Sequence, residues 1–407
     1  MSKHVVYKIV TIWYILMLTI PPLNLVMPFK GLIQSALFCG VALLLFPNLL
    51  GKKSIITLLI YTVMTFVYYI IGHASFKTIN NVVVPFLLML SALLMIEYAF
   101  KYDSDFKYTR SAIFTLLLGN VLMCLISIPQ LIVNPIIIRM STTIDASNAE
   151  EVETYSWVMS YATVHGLPLL FAPLVFLSRK KEQKNGLRFL LLTIMTLFLA
   201  TIVLANATTP LILSVVVILV AFYFKAETFT KKSFLRIIVG VVIAIIILQP
   251  PIIIPIIELA QRALPVGNVS YERLEQIKET IIYGETEGDL DARQTLYQSS
   301  SKLFLESPFW GTSTPEKIGN HSWIRDKLAC FGIIFIIPLV CFFVATIKST
   351  YKRLKHSKAT YTIGIVSFIF LLYMKAAFGV GSWLYGFAFL PLLCRYIDYY
   401  VQTNVKR

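Results

Sequence analysis

Runs of about twenty apolar residues dominate this chain, and that is the length an α-helix needs to cross the ~30 Å hydrocarbon core of a bilayer. Backbone N–H and C=O groups find no water in lipid, so each run must satisfy them within its own segment, as a helix does. The 407 residues are 57% hydrophobic and only 14% charged, with a mean hydropathy of +0.76, more apolar surface than a water-soluble core could hide. The fold class that follows is an all-α polytopic membrane protein. About twelve runs predict transmembrane helices, near 7–27, 29–50, 54–72, 79–99, 111–133, 156–177, 188–205, 208–224, 236–257, 328–347, 361–378 and 380–399. Almost nothing separates the pairs around Asn206–Pro210 and around Gly379, so eleven or thirteen spans fit the same pattern. The first run follows Lys3 and Lys8 without a small-residue cleavage site, which predicts a retained anchor.

Net charge is +15, and its placement decides what it means. Lysines and arginines collect at 179–184, 225–236, 348–358 and the C-terminus. With the N-terminus inside, about 24 of the 36 basic residues fall on the cytoplasmic side, as the positive-inside rule requires. The excess is therefore topology, and no nucleic-acid partner is expected. Both termini are predicted to be cytoplasmic in a multi-pass protein, with membrane lipids as partners and substrates met at its outer face. The five cysteines, Cys39, Cys124, Cys330, Cys341 and Cys394, lie in or beside apolar runs and read as packing residues.

The chain reads as a single integral-membrane domain over 1–407, with two segments outside: a smaller loop at 134–155 and a large one at 258–327, between the ninth and tenth spans. The large loop is too long for a mere connection and has helical periodicity of its own. Leu274, Ile277, Ile281 and Ile282 predict one helix from Tyr271, with Ser270 as N-cap. A second is predicted from Asp291, with Leu296, Tyr297, Ser300, Leu303 and Phe304 on one face until Pro308 stops it. Both are amphipathic and fit a roof over the bundle.

The chemistry concentrates in this loop. His321 stands just before a membrane helix, where imidazole can move a proton near neutral pH; a headgroup-level or capping role competes with that reading. Arg293 opens the second loop helix, and guanidinium suits bidentate capture of phosphate oxygens. Arg262, Arg273 and Arg325 share the loop, whose eleven acidic and eight basic residues also permit a purely structural salt-bridge network. Tyr297, Trp310 and Trp323 can stack on sugar faces or form an interfacial belt. The carboxylates Glu285, Asp289 and Asp291 could hold Mg2+, although helix capping accounts for two of them; no metal-ligand spacing, P-loop, dinucleotide fingerprint or nucleophile elbow occurs, so neither metal nor cofactor is expected. In the smaller loop Arg139 precedes Asp145, Glu150, Glu151 and Glu153, a solvated acidic run or an acceptor contact. His165 is the main ionisable residue inside a span, and one hydrogen bond would satisfy it there.

An Arg at the loop's last helix, then Ser307-Pro-Phe-Trp-Gly311, then Asn320-His-Ser-Trp-Ile324, then Cys330-Phe-Gly-Ile-Ile334 in the next helix resembles the Wzy-type O-antigen and capsular polysaccharide polymerases and the related O-antigen ligases. The likeness in detail covers about 293–334; elsewhere it is one of hydropathy. The resemblance implies a metal-independent, GT-C-like integral-membrane glycosyltransferase at the outer face of the bacterial cytoplasmic membrane. It implies donor and acceptor glycans linked to undecaprenyl diphosphate, and a chain-length regulator and a flippase as further partners. Carried over by position, Arg293 would hold the diphosphate and His321 would act on the acceptor hydroxyl or the leaving group. Arg325, Arg139 and Arg273 would be supporting cations. The chain departs from many relatives after the seventh span, where an arginine is common and this sequence reads Leu204-Ala-Asn-Ala-Thr-Thr-Pro210. The wording around His321 favours polymerase; ligase is the alternative. A flippase should show charged or broken helices at the midplane, whereas charges are scarce in the apolar runs and polar residues concentrate in one external loop.

Overall fold

The structure is a computed structural model that describes residues 2–25, 32–71, 76–140, 157–180, 185–223, 250–262, 269–283, 289–312, 317–319, 322–374 and 383–405. It is all-helical, with no strand among the described residues. In order come α1 (Lys3–Thr19), α2 (Leu32–Leu45), α3 (Lys52–Ile71), α4 (Phe76–Tyr102), α5 (Lys107–Val133), α6 (Ile137–Met140), α7 (Tyr161–Gly166), α8 (Pro168–Arg179), α9 (Asn185–Leu204) and α10 (Thr208–Tyr223). After these stand α11 (Pro250–Arg262), α12 (Val269–Tyr283), α13 (Asp289–Glu306), α14 (Trp323–Arg353), α15 (Lys358–Met374), a π-helical turn (Tyr385–Phe389) and α16 (Leu390–Val405).

A helix that is apolar all round must be covered all round. That describes the second half of α4, where every residue from Leu88 to Ala99 is buried, and α8, buried from Pro168 through Val175. With the π-helical turn they form the centre, and the other helices wrap them: α1 packs on α5, α2 on α4, and α10 and α15 on α8. The wrapping helices keep apolar side chains outward, among them Phe114 and Leu125 on α5, Val215 and Leu219 on α10, and Val366 and Phe370 on α15. So broad an apolar exterior is stable against lipid tails and not against water.

Val82–Tyr102, Lys107–Val133 and Asn185–Leu204 are long and apolar enough to cross a membrane as straight helices, and Trp323–Ile334 with Ile336–Arg353 qualifies as a pair bent by 112°. Five further apolar helices are shorter. The ninth predicted span, 236–257, falls mainly outside the described residues; its last part is the start of α11.

One end of the bundle is closed by ionic contacts. Glu97 on α4 takes both Arg353 guanidinium nitrogens, at 2.9 and 3.1 Å, and lies 3.8 Å from Lys101. Asp103 accepts from the Tyr108 and Thr109 amides at 2.9 and 2.8 Å, and its carbonyl accepts from Arg395. Asp398 accepts from the Lys355 and His356 amides at 2.6 and 2.9 Å, tying the link before α15 to α16. Arg353, Lys355 and His356 belong to the basic segment 348–358 that the positive-inside count assigns to the cytoplasm, whereas Glu97, Arg395 and Asp398 fall within the predicted runs 79–99 and 380–399.

Candidate functional site

The second loop helix exists as α13, starting two residues before the predicted Asp291, and Pro308 follows its end. The first is α12, which starts at Val269; Ser270 is thus inside the first turn and not the cap before it. Glu275 on α12 links it to α11 through the Gln261 amide at 2.5 Å and pairs with Lys278 at 2.7 Å. The hydrogen bond from Lys278 holds the Glu275 carboxyl below the usual carboxylate range.

At the opposite end of the bundle from Glu97, α13 meets the start of α14. Ser300, fully buried at the middle of α13, donates to Asp326 Oδ1 at 2.6 Å and accepts from the Gly319 amide at 3.0 Å. The other Asp326 oxygen accepts from the Ser322 amide at 3.0 Å, while the Ser322 hydroxyl caps α14 at the Arg325 amide and donates to the Tyr373 carbonyl at 2.6 Å. This is a capping-box arrangement with the acid one position further in, and it starts the helix at Trp323 instead of the predicted 328. Ser299 donates to the Lys317 carbonyl at 2.7 Å, and Tyr297 to the Met374 carbonyl at 3.0 Å. Thus α13, the 317–319 strip, the head of α14 and the end of α15 are fastened as one polar unit.

Asp326 is the hub, and its removal should be felt in stability. Asp326→Ala would leave the buried Ser300 hydroxyl and Ser322 amide without this carboxylate, a loss of about 1.5–3 kcal/mol. A lowered melting midpoint in detergent is the expected readout, and a midpoint equal to that of the unaltered protein would count against the hub.

The structure places the sequence-predicted residues unequally. Arg325 lies between two rings, its guanidinium 4.7 Å from the centres of both Tyr297 and Tyr373, and donates to the Tyr373 hydroxyl. That sandwich brings Arg325 and Tyr297 together and leaves the cation partly exposed. Trp310 is exposed at 65%, whereas Trp323 is turned inward against Trp383 at 5.0 Å and Phe343 at 6.0 Å. Arg293, Arg273 and Arg139 are described as backbone positions only, on α13, α12 and α6; position 293 stands one turn before Tyr297. Arg262 is exposed at the end of α11. His321 lies outside the described residues, between the fastened Gly319 and Ser322, and so do Glu285 and the acidic run of the smaller loop. The side chains of Asp289 and Asp291 are likewise not described. His165 is buried, with Nδ1 2.9 Å from the Tyr161 carbonyl of its own helix and its ring on the Tyr161 ring at 4.2 Å.

Sequence reasoning missed Asp326, Ser322 and Tyr373. The Ser322…Asp326 spacing carried a capping signal for the first two; Tyr373 is 51 residues from its partner Ser322, and no local pattern announces it. It also left unexplained why Pro-Phe-x-Gly and the later glycine travel together. In the structure Ser307–Thr312 lies across the bend of α14: the Ile333 amide donates to the Pro308 carbonyl at 2.8 Å, the Ile334 amide to Phe309 at 3.2 Å, and the Thr312 amide to Ala329 at 2.8 Å. These bonds replace the helical ones that the bend at Gly332 removes, which an apolar setting demands. Tyr68 on α3 donates to the Thr312 carbonyl and closes the bracket from the other side.

What these observations define is a polytopic helical membrane protein with an ionic cluster at one end and, at the other, a late polar loop clasped to a broken helix. Residues 191–327 match the family model described as O-antigen ligase, Wzy_C, a stretch running from α9 through Arg293 and His321 to the head of α14. The match covers about a third of the chain and supports the resemblance to the O-antigen polymerase and ligase superfamily read from residues 293–334. No curated protein matches the chain.

Proposed function

We propose that this protein is a polysaccharide polymerase of the cytoplasmic membrane, joining undecaprenyl-diphosphate-linked repeat units into O-antigen, capsule or exopolysaccharide at the outer face. The reading rests on one coincidence: the O-antigen ligase match spans the polar unit built on Ser300, Asp326 and Arg325. The donor's anomeric C–O bond to the diphosphate breaks, and a bond from the acceptor hydroxyl oxygen forms. His321 takes the acceptor's proton, and the electron pair of the broken bond leaves with the lipid diphosphate. Arg293 neutralises that diphosphate, one helical turn from Tyr297, with Arg325, Arg273 and Arg139 as supporting cations. Departure of a diphosphate needs charge stabilisation more than covalent help, so arginines with one imidazole suffice without a metal. Tyr297 and Trp310 border the glycan path, while Trp323, packed inward on Trp383 and Phe343, supports the wall behind them. The termini face the cytoplasm and 258–327 faces outward, which a reporter fused at Trp310 checks directly; a cytosolic signal there would sink the scheme.

The family description names ligase, which keeps the lipid A core as the second candidate acceptor. Reconstitution of the full chain in liposomes separates the readings. A ladder of products from lipid-linked repeats alone supports the polymerase, whereas transfer only when lipid A core is supplied supports the ligase. Carrier flipping without any extension would mean a transporter.

A further inference from the structure

A cavity of about 640 Å³ opens on the flank of the bundle, far from the loop site, between α5 and α9 with α1, α8 and α16 behind it. Its wall runs along α5 from Arg110 to Val121, about 16 Å at 1.5 Å per residue. That is close to half of a ~30 Å hydrocarbon core, the depth of a single leaflet. Phe114, Leu118 and Leu190 line it and are exposed, so the cavity is open to the surrounding lipid. Two hydroxyls in the wall are turned back into the helix: Ser111 donates to the Lys107 carbonyl and Thr115 to the Ser111 carbonyl, both at 2.8 Å. Tyr396 apart, the wall is left apolar along its length, with Arg110 at its end.

Arg110 differs from three other arginines of this end that are bound within the protein. Arg353 is paired with Glu97, Arg395 is bound to Asp103 and Thr109, and Arg179 donates to the Ala221 and Phe222 carbonyls. Arg110 is exposed and takes part in none of the ion pairs among the described residues; Arg188, also exposed, stands on the same turn of α9 as the lining residue Leu187. An apolar slot one leaflet deep with a cation at its polar end complements one kind of molecule.

We propose that this groove is a binding site for an anionic diacyl phospholipid, its chain lying along α5 and its phosphate at Arg110. The inference is independent of the glycosyltransferase reading. The test uses the full chain in mild detergent and native mass spectrometry, with phosphatidylglycerol and phosphatidylcholine of matched chains as equimolar probes. The unaltered protein should retain phosphatidylglycerol over phosphatidylcholine by about five-fold, the preference one arginine near a headgroup supplies. Arg110→Gln should bring the ratio close to one, and Leu118→Trp, at an exposed position of the lining, should fill the slot and reduce retention of both lipids while the melting midpoint stays in place. Equal retention by the unaltered protein, or a preference that survives Arg110→Gln, overturns the proposal. Displacement of phosphatidylglycerol by equimolar undecaprenyl phosphate, dependent on Arg110, would also overturn it by assigning the groove to a prenyl lipid.

Discussion

Arg293→Ala and His321→Ala are each expected to abolish long-chain surface polysaccharide while the protein still accumulates in the membrane. The argument is one of charge and proton. A diphosphate leaving the anomeric carbon develops negative charge where water is scarce, and losing one pre-organised cation at such a centre costs on the order of 10²–10³ in rate. Losing a positioned proton acceptor costs about 10²–10⁴. Polymer length multiplies these losses, because every added repeat needs another turnover, so a ladder should collapse to single or very short glycans. Arg293→Lys separates charge from geometry: lysine keeps the charge but not the planar fork, and partial ladders are expected. Full-length ladders from both alanine variants would remove these two residues from the chemistry.

The second large effect is structural. Gly332 has φ 63° and ψ −177°, a backbone conformation essentially restricted to glycine, and an added Cβ would sit 2.4 Å from the Phe309 carbonyl oxygen. Gly311, at φ 80°, is its counterpart across the bracket: a Cβ there would meet the Cys330 carbonyl oxygen at 2.1 Å. Both obstacles are backbone atoms, which cannot swing aside as a side chain does. Strain and overpacking together put Gly332→Ala or Gly311→Ala at about 3–5 kcal/mol of destabilisation. The expected result is poor accumulation or a sharply lowered melting midpoint in detergent for either variant. A normal midpoint in both would mean that α14 does not need this bend.

The two predictions fail differently, which makes them useful together. Arg293 and His321 variants should be folded and inactive; the glycine variants should lose protein and polymer in parallel. Asp326→Ala falls between, since its carboxylate fastens Gly319 and Ser322, the described neighbours on either side of His321, through Ser300 and directly.

Some of this was legible before any fold was seen. The run at 111–133 is the core of α5, that at 188–205 matches α9 within a few residues, and the periodicity from Leu296 to Phe304 marked α13. Helix boundaries were less legible where a cap decides them: Ser322 and Asp326 begin α14 five residues before the apolar run does. The paired rings around Arg325 were not legible at all, since Tyr373 comes from a separate helix 48 residues away.

Hydrophobic length and helical spacing are local along the chain, so residues 1–407 by themselves dictated a helical membrane protein with one large polar loop, and the wording at 293–334 pointed to the superfamily that the match at 191–327 supports. Which polar side chains clasp one another, why Pro-Phe-Trp-Gly accompanies Gly332, and that a leaflet-deep slot ends at Arg110 were decided only when distant segments met. The reason is that a hydrogen bond or a van der Waals limit acts over about 3 Å of space, whatever number of residues separates its partners in sequence.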